Sequence, residues 1–447
     1  MSDTRDGVEI VTNARNAFLA VNPHWLESIV HLSDEMEVVA SSDILDQSGE
    51  TLWAKGVPAT RLFERRMLGR RLQQPLEVSL DVLCGVSLKS IVDDCFELMK
   101  ANPALEVLGG MNAARKALRG AGNLPLPGPV KLLLTAAREH DKRSYTSRLA
   151  GMIICSGLAD GVGLNDRDAE LLILSALVYD FGQIYTAPEY LDGNRVLQPA
   201  EWKHRVVHPC VGRVFLKEFT DLPQSVTDCV LQHHERQDGS GYPFQVTGAN
   251  ISSLGKLIGV ADSVSAIVMR NDSGCDSGYA AGLGERVAVA LHIVPDEFPL
   301  PAVTFITRAL ELLDQVGAPA VSGNFAERVL PTLQQLRAAR LLAEALSSTG
   351  PTKHLASVGG FALNTIRRID KSLRATGVYE FSQIQALEND PACMGKTSLM
   401  LDEIIWRLRN LARNVYLRTE QSGCVSDLAH VTDLVAVLHA RPRVNLF

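Results

Sequence analysis

No C-x-x-C pair occurs in this chain, and its eight cysteines (Cys84, Cys95, Cys155, Cys210, Cys229, Cys275, Cys393 and Cys424) stand far apart. That gives no basis for a cysteine zinc site or a disulfide framework, and they read as reduced, mostly buried thiols. No basic surplus is present to meet a nucleic acid polymer: 44 Lys and Arg against 51 Asp and Glu leave a formal charge of -7. No apolar run approaches the roughly 18 residues that would span a bilayer. The start, MSDTRDGVEI, has neither the basic stretch nor the apolar core of a secretory leader, so the cytoplasm is the expected compartment. No fixed-length repeat is evident from about 285 to 447 either. What remains is an ordinary globular composition, 46% hydrophobic and 21% charged over 447 residues, enough for about two to four domains.

Strand signals are scarce. Residues 36–61 carry short β-branched runs around the turn-like Gln47-Ser48-Gly49-Glu50, which predicts a hairpin or small β unit. From about Ser79 the spacing becomes helical, with Leu80, Val82, Leu83, Val86, Leu88, Ile91 and Val92 on one stripe. The three prolines of NLPLPGPV, residues 123–130, then mark a boundary, because each lacks an N–H and biases its predecessor away from helix. Helical segments follow near 129–139, 144–158, 166–178, 199–206, 209–219, 223–236 and 254–270, and residues 272–284, rich in small side chains, read as a mobile loop. The pattern is helical again from about 285 to the end, with long stripes at 323–347 and 399–418. The expected division is a β-containing unit at 1–78, a helical connector at 79–122, a domain at 123–284 and a helical C-terminal domain at 285–447. The fold class is mainly α.

Gly395-Lys396-Thr397 looks like the end of a phosphate-binding loop, but Asp390 stands where the earlier glycine would be needed and no strand precedes it. A second constellation is more informative. Of eleven histidines, four (His204, His208, His233 and His234) fall between 204 and 234, with Asp141, Asp180 and Asp262 on either side. Imidazole nitrogens with carboxylate oxygens and no thiolate suit iron, manganese or zinc. Pro209 pushes His208 out of any preceding helix, so His208 caps a new helix and is the ligand candidate, while His204 is a partly exposed helix residue. Adjacent His233 and His234 point about 100° apart on a helix and reach one metal only over its end or edge. Gly239, Ser240, Gly241 and Pro243 stop that helix and let backbone approach a ligand. Taken singly, each histidine is more often structural than metal-binding.

In order along the chain, these residues resemble the HD-GYP domains, a branch of the all-helical HD phosphohydrolase superfamily that hydrolyses cyclic di-GMP in bacteria. HHERQDGSGYP at His233–Pro243 matches the signature, and Tyr179-Asp180-Phe181-Gly182-Gln183, His208-Pro209 and ISSLGKLIGVAD ending at Asp262 follow the family order. The resemblance covers roughly 125–272. It implies a helical HD domain in which Asp180 bridges two divalent transition metals, iron or manganese. His208, His233 and His234 would complete one site and Asp262 would serve the other, with Asp141 in the place of a glutamate ligand. Gly241, Tyr242 and Pro243 would shape the loop near the nucleotide and offer a surface to GGDEF-type or other signalling proteins.

The chain departs from that pattern unevenly. Tyr179 replaces the histidine of the His-Asp pair, Tyr145 replaces the early histidine, and Gln183 stands where a lysine is implied; a phenol is a poor ligand near neutral pH and an amide brings no charge. The phosphate-anchoring run after the last aspartate is replaced by Ser265–Asn271. One metal site is therefore better kept than the other. The reading that follows is a degenerate HD-GYP protein in cyclic di-GMP signalling, a receptor or protein-interaction module with weak or no phosphodiesterase activity. The alternative is an active metal-dependent phosphodiesterase working from the retained centre.

Overall fold

The computed structural model describes residues 16–192, 195–270, 282–311, 313, 325–375 and 391–440. Two compact units share the chain: Met1–Leu191, Arg205–Glu235 and Tyr242–Met269 form the first, and Asp192–His204, Arg236–Gly241 and Arg270–Phe447 the second. The expected edges at 78 and 122 thus fall inside one unit, and the edge at 284 lies beyond two earlier stretches of the second.

The first unit opens with helix α1 (Pro23–Glu35) and four short strands, β1 (Val38–Ala40), β2 (Ile44–Leu45), β3 (Thr51–Trp53) and β4 (Leu80–Val82), with α2 (Arg61–Met67) before the last. The β2–β3 pair is the expected hairpin. Its turn is held by the Asp46 carboxylate, which accepts from Ser48 N at 2.8 Å and Glu50 N at 3.0 Å. Strand β4 pairs with β1 in the register Val38↔Val82, where a helix was expected. Leu80 and Val82 are buried while Asp81 turns outward to Lys131 at 3.1 Å; this period of two is hidden in a stripe that also fits helical spacing. Helix starts only at Leu88, behind the Ser87–Ser90 capping box.

The helices α3 (Leu88–Ala101), α4 (Pro103–Gly109), α5 (Asn112–Ala121), α6 (Gly128–His140), α7 (Lys142–Gly161), α8 (Asp166–Val178), α9 (His208–Phe219), α10 (Gln224–Gln232) and α11 (Ser253–Val268) complete the first unit. α7 is buried at every residue from Arg148 to Ala159, as a helix without a polar face must be, and α3, α4, α5, α8 and α11 pack around it. The expected helix at 199–206 is reduced to one turn, Lys203–Val206, and the one expected over 223–236 ends at Gln232.

In the second unit, α12 (Leu283–His292) and α13 (Leu300–Glu311) precede a core of four mutually packed helices, α14 (Phe325–Thr349), α15 (Lys353–Arg374), α16 (Pro391–Glu420) and α17 (Val425–His439). Ala339, Ile366, Leu408 and Leu434 are among the side chains they bury together. The small-residue stretch read as a loop lies, up to residue 281, outside the described residues, as does Cys275. Of the other cysteines, Cys95, Cys155 and Cys229 are buried, Cys210 is half-buried, and Cys84, Cys393 and Cys424 are exposed, so the thiols are not mostly buried. Among the described residues no helix is long and apolar enough to cross a membrane.

Candidate metal centre

Four ligand atoms, one each from Asp180, His208, His233 and His234, lie within 4.8 Å of one another in the first unit. Local sequence explains how each arrives. α8 ends at Val178, and Asp180 follows the Tyr179 cap to start the 3₁₀ turn Phe181–Tyr185. His208 opens α9 immediately before Pro209, whose missing N–H is no loss in a first turn. His233 caps α10, so both histidines of the signature stand at the helix end. Gly182 lets the 3₁₀ turn touch α9: a Cβ there would sit 2.0 Å from His208 O and 2.7 Å from Gly212 N.

The ring orientations are fixed from behind. His208 Nδ1 is 2.7 Å from Arg205 O and His233 Nδ1 is 2.6 Å from Val230 O, so each Nδ1 carries the proton and each Nε2 offers a lone pair. Those two Nε2 atoms are 3.1 Å apart, and Asp180 Oδ1 is 3.3 Å from the first and 3.8 Å from the second. Two lone pairs and a carboxylate oxygen converging in a buried space make a set of donors that could hold a cation between them. Burial, with the neighbouring His234 and His208, holds His233 well below the usual imidazole range, so it stays a neutral nitrogen donor. Burial pushes the Asp180 carboxyl up, but its polar neighbours, His208 foremost and Arg148 among them, outweigh it and hold it below the usual carboxylate range. The Gln183 amide also donates to Asp180. The donor set fits a divalent transition metal.

The other expected residues are placed differently. Asp262 Oδ2 lies 3.3 Å from His234 Nδ1, beside the four donors rather than among them. Asp141 is exposed and caps α7, accepting from Ser144 N at 3.0 Å; it is not in the cluster. Tyr179 is buried with its ring 4.9 Å from that of His233. Burial and the nearby Asp180 and Asp262 push its phenol well above the usual range, so it remains protonated. Tyr145 is turned to α3, where its hydroxyl donates to Asp94 at 2.6 Å. The Tyr242 ring stacks on His234 at 4.4 Å, and Tyr242 N donates to His234 O at 3.1 Å.

Two residues escaped the sequence reading. Glu235 is buried, and its carboxylate accepts from Phe244 N at 2.7 Å and from Gln245 N and Val246 N at 3.1 Å each, which folds the chain back after Pro243. Its place directly after two histidines gave it no period of its own to betray burial. Arg148 is buried on α7, donates to Leu177 O at 3.4 Å and lends Asp180 a positive charge.

A profile for the HD domain matches residues 135–277. A cyclic di-GMP phosphodiesterase of Thermotoga maritima is 29% identical over 140 residues, 31% of this chain and 37% of that protein. The 3′3′-cGAMP-specific phosphodiesterase 1 of Vibrio cholerae is 35% identical over 115 residues, 26% of each chain. A cyclic di-GMP phosphodiesterase of Pseudomonas aeruginosa is 29% identical over 136 residues, 30% of this chain and 33% of that one. The matched stretch thus spans between about a quarter and just over a third of these relatives. The solved structure of an HDG"Y"P protein from Bdellovibrio bacteriovorus aligns over 62% of this chain and 94% of its own at 15% identity, with a TM-score of 0.33, too loosely to bear on the fold.

Proposed function

We propose, from the HD domain match at residues 135–277 and the signature at His233–Pro243, that the chain is a degenerate member of the HD-GYP group. It acts in cyclic di-GMP signalling as a receptor or protein-interaction module with weak or no phosphodiesterase activity. The observation that carries this reading is the fate of two positions where the family pattern implies histidine: Tyr179 is buried with its phenol protonated, and the Tyr145 hydroxyl is taken by Asp94. Asp180, His208, His233 and His234 would hold one metal, iron or manganese, whose Lewis acidity would be the chemistry it supplies. A second metal would find Asp262 already beside His234 and no nitrogen from residue 145 or 179. Loss of even one electrostatic partner of a transition state costs about 10²–10³ in rate.

The turn Gly241-Tyr242-Pro243, in which Gly241 and Tyr242 are buried and Pro243 is half-buried, is the segment assigned to the nucleotide and to GGDEF-type or other signalling partners. The alternative, an active phosphodiesterase using the retained donors, is favoured by the activities for which the matched relatives are named. Metal analysis of the purified chain together with incubation of cyclic di-GMP with Mn²⁺ or Fe²⁺ separates the two. About one metal per chain and no linear product are expected. Turnover to pGpG or GMP that vanishes in His233→Ala would establish the enzyme instead.

A further inference from the structure

Two side chains ahead of α1 reach the turn that carries Asp180. Asn22 divides its amide between two tasks. Its Oδ1 caps α1, accepting from His24 N at 2.9 Å and Trp25 N at 3.2 Å, while its Nδ2 donates to Ile184 O at 3.1 Å, within the 3₁₀ turn Phe181–Tyr185. A helix cap requires only an acceptor oxygen, which serine or aspartate also offers; asparagine adds a donor, and here it is used on a carbonyl 162 residues away. Phe18, just upstream, is buried, and its ring meets edge-on those of Tyr185 at 5.1 Å, Phe215 at 5.4 Å and Phe219 at 6.0 Å. Tyr185 ends the 3₁₀ turn, and Phe215 and Phe219 lie on α9, which His208 opens. Phe181, directly after Asp180, stacks on Phe215 at 4.9 Å. One aromatic group thus joins the turn of Asp180 to the helix of His208, and Phe18 is its member from the start of the chain.

The stretch between these two side chains is itself tied down. Val21 N donates to Arg70 O at 3.0 Å and Leu72 N to Leu19 O at 2.7 Å; Gln47 N donates in turn to Arg71 O at 3.2 Å and Gln73 N to Leu45 O at 3.0 Å. Backbone bonds therefore run from the β2–β3 hairpin through residues 70–73 to Phe18–Asn22. All of these residues lie in the first unit, together with Asp180, His208 and His233.

We propose that Asn22 and Phe18 are positioning residues: they hold the 3₁₀ turn Phe181–Tyr185, and with it the Asp180 carboxylate, in place against the imidazoles of His208 and His233. For metal binding this rests on the reading of Asp180, His208, His233 and His234 as one ligand set; for the turn itself it does not. The β-containing segment ahead of the HD domain is then part of the support of the centre, and not a separate module joined to it by a linker.

The test uses the full chain with Asn22→Ser, Asn22→Ala and Phe18→Leu. Serine keeps the cap on α1 but has no amide to give Ile184 O, whereas alanine loses both. In all three, amide exchange at Gln183 and Thr186, whose N–H groups close the turn on Asp180 O and Gln183 O, is expected to quicken about fivefold, the equivalent of one neutral hydrogen bond. Mn²⁺ affinity by isothermal titration is expected to weaken by a similar factor. Exchange in α1 should quicken in Asn22→Ala alone, and exchange in α11 should stay as in the wild type throughout. Wild-type exchange at Gln183 and Thr186 in Asn22→Ser would assign Asn22 to the cap alone and overturn the proposal, as would acceleration spread equally over α11. Faster exchange with undiminished Mn²⁺ affinity would refute the link from the turn to the metal. A wild-type chain that takes up no Mn²⁺ would count against the ligand set, and exchange at Gln183 and Thr186 would then decide the positioning role by itself.

Discussion

A histidine that gives one ring proton to a backbone carbonyl has a single lone pair left, and at His208 and His233 both remaining lone pairs meet at Asp180. Residue types and their order announced these donors; what they did not announce was which neighbours would be withdrawn. Tyr145 could be read as a lost ligand, but that its hydroxyl faces Asp94 depends on the packing of α7 against α3, some fifty residues away in sequence. Asp141 was read as a carboxylate ligand, and its use as a helix cap is the competing role that short acids always have before Ser or Thr turns. Tyr179 is the position where chemistry turns on one side chain. Its ring already borders His233, so Tyr179→His would bring a neutral nitrogen next to the retained donors. Metal bound per chain, measured by elemental analysis, is expected to rise from about one towards two. The smaller ring is expected to lower stability by about 1–3 kcal/mol in urea melts, because it leaves a cavity. Stoichiometry unchanged from wild type would mean that Asp262 and the new nitrogen do not make a second site.

At the scale of elements, the proline near a helix start was legible, and helix caps and ends were not. Pro209 marks the start of α9 to within a residue: Val207, not the expected His208, is the cap, and His208 is the first residue of the helix. By contrast α10 stops at Gln232, and no residue type near it marks that end, since the first glycine, Gly239, comes seven residues later. Strand β4 was hidden because three residues of alternation fit a helical stripe equally well until Asp81 is seen to face Lys131. The contact that brings Asp180 to His208 was likewise invisible: it depends on Gly182 and Gly212 facing one another across two elements, with Gly182 N 3.0 Å from a Cβ built on Gly212. Gly182→Ala is therefore expected to be costly, because its methyl would meet the His208 carbonyl at 2.0 Å, and backbone cannot move aside as a flexible side chain does. Overpacking of this kind costs about 1–3 kcal/mol or more. Because the 3₁₀ turn carries Asp180, Mn²⁺ affinity by isothermal titration is expected to weaken by roughly tenfold as well. A variant with wild-type melting and wild-type Mn²⁺ affinity would show that the turn accommodates the methyl, and that the close approach does not position the carboxylate.

For the whole molecule, composition, the helical periodicity and the scarcity of strands were enough for the fold class, but the division into parts was not readable because chain order and packing order differ. Local pattern records where a helix begins, not that Arg236–Gly241 leaves one unit for another and returns. The residue at the expected edge near 78 makes the point physically: Glu77 is only 2% exposed, which no linker carboxylate would be, and burial pushes its carboxyl from 4.5 up to about 7. A carboxyl whose folded pKa is raised binds more protons folded than unfolded. Its stabilising contribution is complete below about 4.5 and is lost as the pH rises to about 7. Other groups titrate in the same window, so the informative quantity is the difference between wild type and Glu77→Gln, which keeps the shape and removes the titration. Urea unfolding of the first unit, followed through its buried Trp25 and Trp53, is expected to show wild-type stability falling relative to the variant between pH 5 and 7. The slope from this single proton is at most about 1.4 kcal/mol per pH unit. Above that window the two curves should run parallel. Parallel curves across the whole range would mean that Glu77 is ionised in the folded chain, and that a cation or bound water reaches it at what sequence pattern alone takes for the end of a domain.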